Sequence, residues 1–429
     1  MYLGVKGFIK DNSHEVKDVL YLVILQGLTY VVPLLVLPYL METLGPEKYG
    51  YIGFSVAAIQ YMMLIVDFGF NQSATKRIAL AKDNQEELNK IFSATVYAKL
   101  FLLTICFAIV VALSFVPQFK VYSSTLYVMF LTVVGQAFLF VFLFQGLGQI
   151  KWISIINAIA KISILPFTFL IVKHEDDYLL AALIQSMVSV VAAVISLIMV
   201  YKKHWVKLLP INTALIKNEI KESFPLFIST AATSMYTALF AIILGYISNP
   251  YEVGIYTSSD RLIRALCYML MVPVLQVFYP YISRLAVTNK EDAIQLFNKL
   301  LIFSFASMSI FSILTFFGGP YAISFLREDF KDSGIILQIM SILPVAIGIG
   351  GVAGQFGLLA IGGQKEKIIF RNIYVIAAVV ALISVTILSI YLGAEGAAIA
   401  IVIVESMVCV LMCIYALKTT SQLQKTALT

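Results

Sequence analysis

The stretch "IYTSSDRLIRALCYMLMVPVLQVFYPYI", residues 255–282, is long and apolar enough to cross a lipid bilayer, yet it carries Asp260, Arg261 and Arg264. An α-helix crosses the hydrocarbon core of a bilayer with about 20 mainly apolar residues. A charge near the centre costs roughly 3 kcal/mol or more unless it faces a partner or a water-filled cavity. The stretch therefore predicts a membrane helix that turns charge toward the inside of the protein.

The composition of the chain extends this interpretation to all 429 residues. Hydrophobic residues make up 60% of the chain and charged residues 13%, whereas soluble domains carry about 25% charged residues. The chain is therefore predicted to be an all-α polytopic membrane protein. Its four cysteines and three histidines form no metal-ligand pattern, and it has no GxxxxGK[ST] phosphate loop. We expect no metal, no cofactor and no catalytic site.

Windows of about 20 apolar residues predict twelve transmembrane helices. The first window is too long for a signal-peptide core and is not followed by a small-residue cleavage site, so we expect it to be retained. The predicted spans are 19–41, 49–70, 91–115, 121–147, 152–172, 178–200, 223–247, 255–282, 294–317, 334–360, 368–392 and 396–417.

Basic residues outside these spans predict the orientation of the chain. With the N-terminus in the cytoplasm, 20 lysines and arginines fall on the cytoplasmic side and 5 on the opposite side. The positive-inside rule then places both termini in the cytoplasm. The net charge of +6 indicates contact with anionic membrane lipids and no nucleic-acid partner. The five outer residues are Lys48, Lys120, Lys173, Arg327 and Lys331.

The two halves of the chain resemble each other in sequence. "GPEKYGYIGFS" (45–55) matches "NPYEVGIYTSS" (249–259) at an offset of 204. Three later matches follow in order at rising offsets, which predicts a parallel internal repeat of six helices. The expected units are a bundle at 1–201, a linker at 202–221 and a second bundle at 222–429. The later matches pair 77–90 with 284–299, 148–157 with 363–372, and 185–187 with 405–407.

One segment carries a family resemblance. "LPYLMETLGPEKYGYIGFSVAAIQYMMLIVDFGFNQSATKRIA" (37–79) resembles the N-terminal signature of bacterial O-antigen flippases of the Wzx type, in the multidrug/oligosaccharidyl-lipid/polysaccharide (MOP) exporter superfamily. The likeness rests on Leu-Pro before Leu-Gly-Pro-Glu, then Tyr-Gly, Asp-Phe-Gly-Phe and Lys-Arg-Ile-Ala. It implies two MATE-like six-helix bundles around a central cavity.

The resemblance also implies a function and its partners. Flippases of this family move undecaprenyl-diphosphate-linked sugar repeats across the bacterial inner membrane, from the cytoplasmic to the periplasmic leaflet. A transporter of this kind is not an enzyme. Its expected partners are the lipid-linked oligosaccharide, the membrane lipids, and the polymerase and chain-length machinery of polysaccharide synthesis.

Four basic side chains within the predicted spans are candidates for binding the substrate. Lys99, Lys161 and Arg264 lie eight or nine residues from the nearest end of their spans, and nine residues rise roughly 14 Å along a helix. Arg261 shares a helix face with Arg264 at a spacing of three residues. Arginine's planar guanidinium suits phosphate oxygens, so these residues predict a diphosphate site. The alternative is that Arg264 has a structural role and forms an ion pair with Asp260 along the same helix.

Three acidic side chains are candidates for coupling transport to an ion. Asp260 and Glu405 are the acids deep within their spans, and Asp67 lies closer to the end of its span. A buried carboxylate can take up and release a proton during a transport cycle. Two alternatives to a flippase stay open at this point. A MATE-like drug/cation antiporter would favour an acidic cavity, and a polytopic polymerase or ligase would need a large outer loop.

Overall fold

The computed structural model describes residues 13–210, 212–324 and 328–428, and these residues form an all-helical protein. Lys6, Lys10 and Arg327, which enter the prediction of orientation, lie outside the described residues. The α-helices are α1 Ser13–Asp67, α2 Phe70–Leu80, α3 Gln85–Ser114, α4 Ser123–Phe138, α5 Val141–Gly146, α6 Ile150–Ile171, α7 Tyr178–Lys203, α8 Thr213–Ile247, α9 Pro250–Thr288, α10 Lys290–Ser324, α11 Lys331–Met340, α12 Leu343–Val352 and α13 Gln364–Leu428.

Nine helical segments of the described residues are long and apolar enough to cross a membrane, so the chain is a multi-pass membrane protein. A shorter apolar segment lies at Tyr236–Ile247 in α8. Two of the nine segments contain a sharp turn at a glycine with positive φ, Gly45 in α1 (φ 68°) and Gly393 in α13 (φ 54°). Glycine adopts such angles at little cost. Each turn falls between two of the predicted spans, 19–41 and 49–70 or 368–392 and 396–417.

Two predicted spans are not continuous α-helices. The span 121–147 is divided between α4 and α5 at Phe140, whose φ is 47°. A positive φ is strained in a residue with a side chain, and the buried ring of Phe140 packs against those of Phe92 and Phe142, with centroids 5.1 and 6.2 Å away. The span 334–360 contains part of α11, all of α12 and most of a π-helix at Ala353–Ile361.

Part of the range predicted as a linker, 202–221, is helical in the structure. Helix α7 ends at Lys203 and α8 begins at Thr213, where the Asn212 side chain accepts hydrogen bonds from two backbone N–H groups. The second half of the predicted linker is therefore the first part of α8. An asparagine at this N-cap position satisfies N–H groups that have no partner within the helix, and this local signal explains the early start.

Helices α1 and α9 approach each other at their backbones, and we call this the glycine contact (Pro46 and Gly50 with Pro250 and Gly254). A Cβ atom added at Gly50 would lie 1.8 Å from the Pro250 carbonyl oxygen, and one added at Gly254 would lie 1.8 Å from the Pro46 carbonyl oxygen. The contact is therefore reciprocal. Pro46 and Pro250 are separated by 204 residues, as are Gly50 and Gly254, and 204 is the offset of the first sequence match.

A second contact joins α2 to the first part of α8, and we call it the charged contact (Ser73 and Arg77 with Glu219, Glu222 and Ser223). Arg77 forms ion pairs with Glu219 and, at 3.2 Å, with Glu222. The hydroxyl oxygens of Ser73 and Ser223 are 2.6 Å apart. The charged contact lies on α2, which begins just after α1 ends at Asp67. Along α1, Gly50 of the glycine contact is about 26 Å from Asp67, at 1.5 Å per residue. The two contacts therefore lie toward opposite ends of the part of α1 that follows the turn at Gly45.

Candidate functional site

Two cavities meet at Arg264 in the interior of the protein. The larger has a volume of about 640 Å³ and the smaller about 580 Å³. Both fall within the range of about 300–1,000 Å³ that is typical of ligand-binding pockets. The residues that line both cavities are Gln60, Thr237, Ala238, Arg264 and Tyr268.

Helix α9 brings Asp260, Arg261 and Arg264 to these cavities. The helix begins at Pro250, where the Asn249 side chain accepts a hydrogen bond from the Glu252 N–H. It then continues without interruption, so residues 260 and 264 lie one turn apart on the same face. Arg264 Nε accordingly donates to Asp260 Oδ1 at 2.8 Å. The alternative of a pair along the helix is therefore present in the structure.

Arg264 also reaches a second carboxylate on a distant helix. Its Nη2 donates to Glu405 Oε1 on α13 at 3.3 Å, and the same oxygen accepts a hydrogen bond from the Tyr236 hydroxyl at 3.0 Å. The side chains of Arg264 and Glu405 are only 13% and 6% exposed. Arg264 therefore lies between two acids, and one guanidinium charge faces two carboxylate charges.

Arg261 has a different environment. Its Nη1 donates to the Tyr49 hydroxyl at 2.9 Å, and its guanidinium carbon lies 5.5 Å from the centroid of the Tyr49 ring. Its Nη2 is buried and has no hydrogen-bond partner among the described residues. A buried donor of a charged group is costly to leave unsatisfied. Arg261 therefore offers a hydrogen-bond donor to a ligand in the smaller cavity, which it lines.

The smaller cavity is the more basic of the two. Lys161 from α6 lines it together with Arg261, Arg264 and Asp260. Three basic and one acidic side chains leave two excess positive charges there, one of which belongs to Arg264, which also lines the larger cavity. The larger cavity is lined by one basic and one acidic side chain, Arg264 and Glu405, so it has no excess charge. The described lining of the two cavities therefore differs in charge.

Lys99 and Asp67 lie apart from both cavities. Lys99 Nζ is 3.8 Å from Asp67 Oδ1 and 5.2 Å from the centroid of the Phe142 ring, and its side chain is 4% exposed. The pair lines a separate pocket of about 110 Å³ with Asn71 and Gln136. The structure therefore brings Lys161, Arg261, Arg264, Asp260 and Glu405 together and places the other two candidates elsewhere.

Several cavity residues are absent from the candidates that the sequence suggested. Tyr49 and Gln60 come from α1, Gln355 from the π-helix, and Tyr374 from α13. The two glutamines had a usable signal, because an amide within an apolar span must find a polar partner or a wet cavity. The tyrosines had none, since tyrosines of membrane proteins commonly serve as interface anchors or in packing.

Comparisons with known proteins support the resemblance seen in the sequence. Residues 16–286 match the model of the family described as "Polysaccharide biosynthesis protein". A protein of Escherichia coli (strain K12) named "Putative O-antigen transporter" is 31% identical over 401 residues, which are 93% of this chain and 96% of the relative. A protein of Shigella dysenteriae with the same name is 32% identical over 398 residues, covering 92% and 98%.

Solved structures share the fold at low sequence identity. An inward-facing multidrug resistance MATE family transporter of the MOP superfamily superposes with a TM-score of 0.72 at 15% identity, over 92% of this chain and 95% of that one. The lipid II flippase MurJ in an inward closed conformation also gives 0.72, at 16% identity over 94% and 87%. With the family match over residues 16–286 and the two relatives above 30% identity, this chain belongs to the polysaccharide biosynthesis protein family.

Proposed function

We propose that this protein is a flippase that carries undecaprenyl-diphosphate-linked oligosaccharide repeat units from the cytoplasmic to the periplasmic leaflet of the bacterial inner membrane. The names of its two relatives support an O-antigen cargo. The observation that carries the proposal is the basic character of the smaller cavity, where Arg261 has an unpartnered buried nitrogen. The protein acts as a transporter and not as an enzyme.

The excess positive charge of the smaller cavity also favours a flippase over a MATE-like drug/cation antiporter. A diphosphate carries about two negative charges, and arginine and lysine bind phosphate oxygens through charge-assisted hydrogen bonds. A cationic drug would instead be repelled by Lys161 and Arg261. In this proposal those two side chains bind the diphosphate in the smaller cavity. The polysaccharide polymerase and the chain-length machinery would receive the transported product.

The proposed architecture has twelve membrane crossings in two bundles, 1–201 and 222–429, joined at 202–221. Splitting α1 at Gly45 and α13 at Gly393 and adding the apolar segment of α8 would raise nine crossings to twelve. The reciprocal glycine contact supports a parallel repeat, since equivalent residues of two similar bundles would meet in this way. The positive-inside excess supports cytoplasmic termini.

Asp260, Glu405 and Arg264 are proposed to couple transport to a proton. While both carboxylates are ionised they hold the guanidinium, at 2.8 and 3.3 Å. Protonation of one acid would remove one of these ion pairs and leave Arg264 able to join Arg261 at the phosphate. Lys99 and Asp67 form a separate pair whose charges cancel. We propose that Asp67 is a second coupling group and that Lys99 is its partner. The substrate would reach Lys99 only if their pocket opens.

The substrate site is tested with Arg261→Gln in cells whose surface polysaccharide depends on this protein. A hydrogen bond to a charged group contributes about 1.5–3 kcal/mol, so we expect surface polysaccharide to fall at least about tenfold, with lipid-linked repeats retained on the cytoplasmic side. Arg261→Lys should keep partial function. Arg284→Gln is the matched control, because Arg284 is an exposed arginine on the same helix. Normal surface polysaccharide from Arg261→Gln, at matched protein level, would contradict the proposal.

The same cells test the coupling groups. The double variant Asp260→Asn with Glu405→Gln should lose the dependence of transport on the proton motive force, and Asp67→Asn should reduce that dependence. Transport by the double variant with a normal dependence would rule out the coupling role of Asp260 and Glu405.

A further inference from the structure

The larger cavity has a lining that suits a neutral polar ligand. Four tyrosines, each from a different helix, and two glutamines line it: Tyr61, Tyr236, Tyr268, Tyr374, Gln60 and Gln355. Its charged lining residues among those described, Arg264 and Glu405, are 3.3 Å apart and bound to each other. The cavity therefore offers ring faces, hydroxyls and amides to a ligand, without excess charge.

The aromatic wall of this cavity is held in place by its neighbours. The rings of Tyr236 and Tyr374 lie 5.8 Å apart at an interplanar angle of 34°. The Tyr236 hydroxyl donates to Glu405 at 3.0 Å, and the Phe370 ring packs edge-on against Tyr374 at 5.0 Å. Rings with fixed orientation bind a flat apolar surface without losing further side-chain entropy.

A second wall comes from α12 and the π-helix that follows it. Gly348, Gly350 and Gly351 line the cavity. A Cβ atom at Gly348 would lie 2.4 Å from Met308 Cγ, whereas one at Gly351 would meet no atom within 4 Å. Gly351 therefore leaves space and exposes backbone where a side chain could stand. The π-helix then places Gln355 on the cavity, and π-helical segments are rare and frequent at functional sites.

We propose that the larger cavity is a carbohydrate subsite that takes the sugar residues next to the diphosphate. This inference rests on the proposed function and adds to it a division of the substrate between the two cavities. A pyranose has apolar C–H faces that pack on aromatic rings and hydroxyls that pair with amides. The diphosphate belongs in the basic smaller cavity. Tyr268, Gln60 and Thr237 line both cavities, so the bond between phosphate and sugar passes there.

The subsite is tested by binding to the purified full-length protein in lipid nanodiscs. The two probes are undecaprenyl diphosphate and the same lipid carrying one N-acetylglucosamine. Wild type should bind the sugar-bearing probe about tenfold more tightly, since an aromatic contact and a hydrogen bond together supply roughly the 1.4 kcal/mol that a tenfold difference requires. In Tyr374→Ala and in Gly351→Val, the ratio of the two affinities (sugar-bearing probe to undecaprenyl diphosphate) should fall to less than about two. The affinity for undecaprenyl diphosphate should stay unchanged.

Two further variants serve as controls in this experiment. Gly318→Val adds the same side chain at an exposed helical glycine whose Cβ, like that of Gly351, would meet no atom within 4 Å, and Gly318 does not line the cavity, so its ratio should equal that of wild type. Arg261→Gln should weaken both probes by the same factor, because it removes a phosphate contact.

The outcomes separate this inference from the proposed function. Equal affinity of wild type for the two probes, or equal losses for both probes in Tyr374→Ala, would overturn the carbohydrate subsite and leave the flippase proposal standing. Binding of neither probe by folded wild-type protein would overturn both. Retention of the tenfold ratio by both Tyr374→Ala and Gly351→Val would also overturn the subsite.

Discussion

The glycine contact and the charged contact both join the N-terminal half of the chain to the C-terminal half, but they use different interactions. At the glycine contact, the α1 and α9 backbones meet where glycine has no side chain to keep them apart. At the charged contact, α2 and α8 meet through Arg77, whose side chain is 27% exposed, and two glutamates. One contact depends on shape alone, and the other depends on charges that water can also solvate.

This difference indicates which contact opens more readily. Separating two backbones that are packed without gaps exposes apolar surface and gains no new hydrogen bonds, so it is costly. Separating the ion pairs of the charged contact costs less, because Arg77 and Glu222 are already partly exposed and water replaces much of their attraction, while only Glu219 is buried. We therefore expect the charged contact to open in the transport cycle while the glycine contact stays closed, and three substitutions test this comparison.

Gly50→Ala should have the largest effect. Its Cβ would lie 1.8 Å from the Pro250 carbonyl oxygen, a distance at which the helices must move apart. We expect a loss of stability at or above about 3 kcal/mol, the upper part of the range for overpacking. Thermal unfolding of the purified protein measures it, and Gly318→Ala is the control because a Cβ there meets no atom within 4 Å. Equal melting temperatures for the two variants would show that the glycine contact is not close-packed.

Arg77→Glu should have the next largest effect, because it places a third acid beside Glu219, whose side chain is 1% exposed. Maleimide labelling of a Ser73→Cys reporter in a background without native cysteines measures opening. We expect labelling to become about tenfold faster, which corresponds to 1.4 kcal/mol. Adding Glu219→Arg should restore most of the slow rate. Lys76→Glu, an exposed neighbour on α2, is the control, and an equal acceleration there would assign the effect to net charge and not to the pair.

Glu222→Gln should have the smallest effect. Glu222 lies 3.2 Å from Arg77 Nη1, but its side chain is 45% exposed. Exposed ion pairs contribute about 0–1 kcal/mol, so labelling of the same reporter should change less than about fivefold. Glu219→Gln should exceed it, because it removes the buried partner of Arg77. A larger change for Glu222→Gln than for Glu219→Gln would reverse the ranking of the two pairs.

The membrane fold was largely predictable from local sequence. Its signals are the long apolar runs, the glycines at 45 and 393 and the basic residues between spans. Each of these affects only residues within a few helical turns along the chain. The break at Phe140 was not predictable in this way, because it depends on packing against Phe92, 48 residues earlier in the chain. The early start of α8 at Thr213 had a local signal in Asn212, which the search for apolar windows does not detect.

By itself, the sequence determined the membrane class, the all-helical character, the resemblance to the family and the presence of charges deep within the predicted spans. It also placed Asp260 and Arg264 one turn apart, since that distance follows from helix geometry. The tertiary structure alone decided that Arg264 reaches Glu405, that Arg261 binds Tyr49, and that Lys99 pairs with Asp67 in a pocket of its own. Arg264 and Glu405 are 141 residues apart and Arg261 and Tyr49 are 212 apart. Contacts over such separations depend on how whole helices pack, which hydropathy and spacing along one helix do not specify.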